Sequence, residues 1–164
     1  MIAPSEIVTF LKETYHLNRS LVGTGMDEFF AILKKYIDIE VHEFPPDKLI
    51  HTWKMPDSWR MREGRITDQR GNVLISTDRY PLCVWTGSQA IKTKISKKEL
   101  FKRHLAWSDR KDDAIPYLPV YYRDDWGFSI PKSILEQFQD DVYDILIEAD
   151  QPPCSLKVAQ HVLP

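Results

Sequence analysis

TGMDEFFAILKKYIDIEVHEFPP, residues 24–46, changes its period halfway along, and that change decides the fold class. In the first half Met26, Phe30, Leu33 and Ile37 recur at helical spacing, which gives a helix one apolar face. Asp27 and Glu28 stand in its first turn and Lys34 and Lys35 near its last, an order that complements the helix dipole. From Ile39 the spacing falls to two. Ile39 and Val41 alternate with Glu40 and His42, as in a half-buried strand, and Pro45-Pro46 stops it because proline cannot donate to a ladder. Helix and strand in immediate succession predict an α+β chain.

Toward the N-terminus, Pro4 suits a first helical turn, and Ile7, Val8, Leu11 and Tyr15 predict an earlier helix with its own apolar stripe. Asn18, Ser20, Gly23, Thr24 and Gly25 supply turn chemistry between the two helices. Toward the C-terminus the texture becomes β. Ile66 and residues 73–75 flank a turn at 68–72, a hairpin pattern, and strand-like runs at 82–86 and 90–95 flank Gly87-Ser88. Ser96-Lys97-Lys98-Glu99 is a capping box opening a short helix, and Pro131 begins another that ends near Phe138. Residues 142–148 form the strongest strand pattern, Pro152-Pro153 breaks the chain, and 155–163 alternates as a last strand free to return to the first. The organisation expected is one part built from 1–46 with 154–164, and an inserted, mainly β domain with short helices over 47–153. A single mixed domain would give the same periodicities.

Composition narrows the function classes. Of 164 residues 43% are hydrophobic and 12% aromatic, which favours a packed globule over a disordered chain. A net charge of −2 provides no global field for nucleic acid or an anionic membrane, so neither is an expected partner. No apolar run approaches the roughly 20 residues of a membrane span, and the first residues lack the basic and apolar regions of a secretory signal. Cytoplasm is the expected compartment. Cys83 and Cys154 read as reduced core thiols, a disulfide between them being the less supported alternative.

The residues that carry chemistry are scattered. Gly23-Thr24-Gly25 lacks the third glycine and preceding strand of a dinucleotide site, so it reads as a turn; the alternative is an anion site at the helix start, helped by Arg19. His16, His42, His51, His104 and His161 include no i, i+4 pair and no compact metal set, and His42 meets His161 only if their strands are neighbours. Asp112-Asp113, Asp124-Asp125 and Asp140-Asp141 read as solvated turns. Lys92, Lys94, Lys97, Lys98, Lys102 and Arg103 read as a solvated basic face, with a nucleic-acid patch as the alternative. Tyr117, Tyr121, Tyr122, Trp126 and Phe128 are either packing or a pocket wall. No self-contained active site emerges.

Several segments, in order, carry a family pattern: Leu17-Asn18-Arg19-Ser20-Leu21-Val22-Gly23-Thr24-Gly25, Trp53-Lys54-Met55-Pro56-Asp57-Ser58-Trp59, Ile66-Thr67-Asp68 with Gly71, Ile115-Pro116-Tyr117, Tyr121-Tyr122 and Trp126-Gly127-Phe128-Ser129. With them the chain resembles, over nearly its whole length, the N-terminal portion of bacterial zinc aminopeptidase-like proteins whose zinc-exopeptidase fold carries an inserted domain of unknown function. The resemblance implies a partial three-layer α/β front of two helices and a strand, interrupted by the β-rich insert. It implies zinc in a full-length parent, with the His, Asp and Glu ligands beyond Pro164, and no cofactor, metal ligand or catalytic residue in this chain. The expected partners are the remainder of the peptidase domain and, in the parent, a peptide-like or amide small-molecule substrate. Asn18, Arg19, Tyr122 and Trp126 are the candidate substrate-binding residues. Ser129 departs from the pattern, since a cysteine often follows Trp-Gly-Phe in the family. A standalone binding or interaction module is the alternative function.

Overall fold

The computed structural model describes residues 3–19, 22–46, 49–120 and 122–163. In chain order the elements are helices α1 (Pro4–Thr14) and α2 (Thr24–Leu33), then strands β1 (Glu40–Phe44), β2 (Leu49–Ile50), β3 (Trp53–Lys54), β4 (Arg60–Thr67), β5 (Val73–Ser76) and β6 (Ile91–Ser96). A helical turn at Lys97–Glu99 runs into a π-helical turn at Leu100–His104, followed by β7 (Leu105–Ala106), β8 (Phe128–Ser129), a 3-10 helix at Lys132–Gln137, β9 (Val142–Asp150) and β10 (Leu156–Gln160). Helix and strand are mixed as an α+β chain requires. The chain divides into two compact units, Met1–Arg60 with Gln151–Pro164, and Met61–Asp150.

In the first unit the C-terminal strand does return to the first one. β1 and β10 pair antiparallel, with Glu40 opposite Gln160 and Phe44 opposite Leu156. Lys157 on β10 reaches Asp27 in the first turn of α2 at 2.5 Å and Glu43 on β1 at 3.6 Å, tying helix and ribbon together. The carboxylate at the helix N-terminus is also placed where the dipole favours it. α1 is started by Glu6, whose carboxylate accepts the Ala3 amide at 2.7 Å. Its inward face is not the expected stripe. Phe10 packs against Phe29 and Tyr36 at centroid distances of 5.8 and 5.2 Å, and Thr14 is buried with its hydroxyl on the Phe10 carbonyl. Ile7, Val8, Leu11 and Tyr15 consequently point outward and stay exposed. Aromatic pairs bury more area than an aliphatic stripe, so Phe10 sets the rotation of the helix. α2 ends at Leu33, and Met26, Phe30, Leu33 and Ile37 are only half-buried.

The second unit is better closed. Its sheet runs β5-β4-β9-β6. β4 pairs antiparallel with β5, and β6 with β9. Arg62 meets Asp150, while the Gln69 amide meets Asp140, so the start of β4 lies by the end of β9 and the two also run antiparallel. The expected hairpin is present. Asp68 accepts the Arg70 and Asn72 amides and the Asn72 side chain, and Gly71 takes a positive φ of 88° that suits glycine. These bonds, led by that from the Asn72 side chain, hold the Asp68 carboxyl below its usual range. On β9, Tyr143, Ile145 and Ile147 are buried, and Phe138 packs on Tyr143 at 5.2 Å. Ser96 caps the turn after β6 by accepting the Glu99 amide. The segment after Pro131 folds as a 3-10 helix. Residues 82–86 contribute isolated bridges, Val84 to Phe128 and Thr86 to Pro119, and no ladder with β6.

Among the described residues the two units differ sharply in what they cover. The first buries Leu17, Val22, Ile39, Met55 and Trp59, yet exposes nine large apolar side chains: Ile7, Val8, Leu11, Tyr15, Leu49, Trp53, Val158, Val162 and Leu163. The second buries fifteen, besides Cys83, and exposes five. The first unit therefore presents more large apolar side chains than it encloses, the reverse of a self-sufficient core.

Candidate functional site

Two of the candidate substrate-binding residues belong to the first unit. Asn18 is half-buried, and its backbone lies under Gly25; a Cβ at Gly25 would sit 2.1 Å from the Asn18 carbonyl oxygen. Gly25 is thus needed for close approach of two backbone segments, which is the structural role of the turn. Arg19 is exposed and places its guanidinium 4.6 Å from the centroid of the Phe29 ring. Such a cation–π contact orients the side chain without occupying all its donors. Ser20 and Leu21 lie outside the described residues.

The other two belong to the second unit, in the loop that leads to β8. The loop is anchored at both ends. Thr86 donates its amide to the Leu118 carbonyl and accepts from Val120, which is buried, and the Gln89 amide donates to the Asp125 carbonyl. Trp126 is itself buried and stacks on His104, the rings parallel at 3.9 Å. Because the Trp126 carbonyl can only accept, His104 must carry a proton on Nδ1, which donates to it at 2.8 Å. The Asp125 carboxylate lies 3.7 Å from the same nitrogen and accepts the Trp126 amide at 2.8 Å. Trp126 therefore braces the loop from below. Tyr122 stands at its tip, 65% exposed and with φ of +60°. A bulky residue in that region stores strain, and such strain is found at binding loops more than elsewhere. Tyr121 lies outside the described residues. Sequence reasoning did not single out His104, because nothing in its spacing reports a stacking partner 22 residues away.

Ser129 is buried under the same loop. It accepts from the Trp85 indole at 3.1 Å, so its hydroxyl has a packing role in this chain. Gly127 is pressed against Trp85, where a Cβ would meet three ring atoms at 2.5–2.6 Å. Cys83 and Cys154 are free thiols, the first fully buried and the second half-buried. Burial pushes the Cys83 thiol up to about 12.

Among the described residues no three His, Cys, Asp or Glu side chains gather into a group able to hold a metal ion. The donor set among the described residues does not fit a zinc ion. β1 and β10 are neighbours, but His42 opposes Val158, whereas His161 lies past the end of β10 and meets the Asp38 carbonyl at 2.5 Å. The adjacent aspartates serve as local acceptors: Asp140 for the Gln69 amide, Asp125 for the Trp126 amide and Asp113 for the Ser133 hydroxyl. No helix among the described residues is long and apolar enough to cross a membrane.

Residues 58–150, more than half the chain and all of the second unit, match the model of a family described as a domain of unknown function, DUF2172. The chain belongs to the DUF2172 family. Over 158 residues this DUF2172 chain is 27% identical to a Clostridium acetobutylicum protein provisionally named as a polysaccharide biosynthesis protein with an aminopeptidase-like domain. It covers 96% of the chain here and 36% of that relative. A crystal structure of a protein from Clostridium acetobutylicum, provisionally named a peptidase, superposes with a TM-score of 0.85 at 26% identity, covering 94% of this chain and 36% of that one. The chain thus spans about a third of the length of the proteins it matches.

Proposed function

We propose that this chain is the N-terminal part of a zinc-dependent aminopeptidase-like hydrolase, acting in the cytoplasm on a peptide-like or amide small molecule, and is inactive by itself. The observation that carries the reading is the imbalance of the first unit, whose described residues expose nine large apolar side chains and bury five. That is how part of a larger core looks when the rest is missing. The names of the two matched proteins, and the third of their length that the match spans, support a peptidase-like parent.

In such a parent the zinc would polarise the scissile carbonyl and activate water. Its ligands lie outside residues 1–164 in this reading, since the described residues gather no ligand set. The contribution of this chain is to bind and orient. Arg19, held over Phe29, and Asn18 in the same loop are the polar candidates; Tyr122 is the aromatic one, carried on a loop that buried Trp126 fixes from beneath. The alternative, a standalone binding module, is favoured by the closed core of the second unit.

The test is to prepare both residues 1–164 and the complete product of the source gene, then measure bound zinc and release of an amine from aminoacyl anilides. Zinc and hydrolysis in the longer protein alone are the expected result. Stoichiometric zinc or turnover in the 164-residue chain would overturn the proposal, and a gene product with no further domain would leave the binding-module reading.

A further inference from the structure

The outer face of the sheet in the second unit carries a concavity of about 560 Å³, within the range of small-molecule sites. Because successive side chains alternate across a strand, burying Tyr143, Ile145 and Ile147 turns Asp144 and Leu146 of β9 outward into this hollow. β9 lies between β4 and β6, so cations from both neighbours flank an apolar centre. Lys92 of β6 is the direct cross-strand partner of Leu146, and Arg65 comes from β4. Val73 on β5 extends the apolar floor.

The charges are not equivalent. Lys94 is matched by Asp144 at 3.2 Å across the strands, and Arg65 touches Glu63 on its own strand. The Lys92 side chain forms no ion pair or hydrogen bond among the described residues. Of the ionisable groups lining the concavity three are cationic and one is a carboxylate. Once Lys94 and Asp144 cancel and Arg65 is shared with Glu63, roughly one positive charge remains beside a Leu–Val floor. A multiply charged phosphate fits that balance poorly, whereas a single carboxylate on an apolar body fits both halves of it.

We propose that this concavity binds a small amphipathic carboxylate, its anionic end between Lys92 and Arg65 and its apolar body on Leu146 and Val73. The site is independent of the peptidase reading and lies wholly within the DUF2172 domain. It also gives Lys92, one of the basic residues of that strand, a role other than part of a solvated face.

The test is a titration of the isotope-labelled 164-residue chain with hexanoate, read by amide chemical shifts, alongside hexan-1-ol and inorganic phosphate. The expected result is saturable shifts at Thr67, Lys92 and Leu146 with hexanoate, and an affinity about threefold to fivefold lower in Lys92→Gln, the loss of one exposed charge contact. Lys92 is exposed, so the variant is expected to fold, and its unchanged spectrum checks this. Equal binding of hexan-1-ol would remove the carboxylate from the proposal, and tighter binding of inorganic phosphate would remove the apolar body. Shifts that fail to saturate, or that centre on other residues, would overturn it entirely.

Discussion

The outward stripe of α1 gives the sharpest test of whether this chain is part of a larger core. Ile7 and Leu11 are 51% and 56% exposed, so about half of each side chain is already removed from water. Complete burial of such a side chain is worth about 1.5–3 kcal/mol. Covering the remaining halves in a parent protein would then add about 0.8–1.5 kcal/mol each, or about 1.5–3 kcal/mol for the pair. Replacing both by serine removes the buried half in either context, but the second half only where a partner layer lies on it. The double variant should therefore destabilise α1 in the longer protein by about 1.5–3 kcal/mol more than in the 164-residue chain. A longer, multidomain protein does not unfold in one step, so a global denaturation curve is the wrong readout. Amide exchange across residues 4–14, converted to a local opening free energy in both contexts, is the right one. Equal losses in the two contexts would refute the reasoning, because they would mean the stripe faces water in both.

Other outcomes follow from particular contacts. A thiol reagent at neutral pH should modify Cys154 and leave Cys83 untouched until the protein unfolds, since burial holds the Cys83 thiol near 12; rapid reaction of both in native protein would contradict that burial. The Asp27 hydrogen bond is the main reason the Lys157 ammonium titrates above its ordinary value. A raised folded-state value stabilises at any pH below the unfolded value and is lost as pH rises through the folded one, so melting temperature should fall on the alkaline side. Asp27→Asn should flatten that fall, and a double-mutant cycle with Lys157→Gln should give a coupling of about 0.2–1 kcal/mol, a zero coupling counting against the tie between α2 and β10. Gly127→Ala should cost about 1–3 kcal/mol, because Trp85 is held in place by its bond to Ser129; a loss under about 1 kcal/mol in urea denaturation would show that the ring yields.

Much of the architecture was legible because it depends on neighbours in sequence. The 68–72 turn was readable from Asp68, Gly71 and Asn72, which the structure uses as acceptor, positive-φ residue and donor. The capping pattern at Ser96 and Glu99 was readable for the same reason, and the alternation of β9 followed from its period of two. The α1 stripe was read correctly as an apolar pattern, but pattern does not say which face a helix buries. Phe10 meeting Phe29 and Tyr36, far away in sequence, decided that. For the same reason sequence pattern leaves Trp126 open between packing and a pocket wall, and the stack on His104 makes it packing.

By itself the sequence determined the α+β class, the two helices ahead of a strand, and the hairpin and cap signals. These are short-range properties, fixed by side-chain period and turn chemistry. Only the tertiary structure decided that β10 pairs with β1, that α1 keeps its aliphatic face in solvent, and that Lys92 and Arg65 flank Leu146 on one open sheet face. Each of those depends on contacts between residues distant in the chain, where burial and strand order select among arrangements that local preference leaves equal in energy.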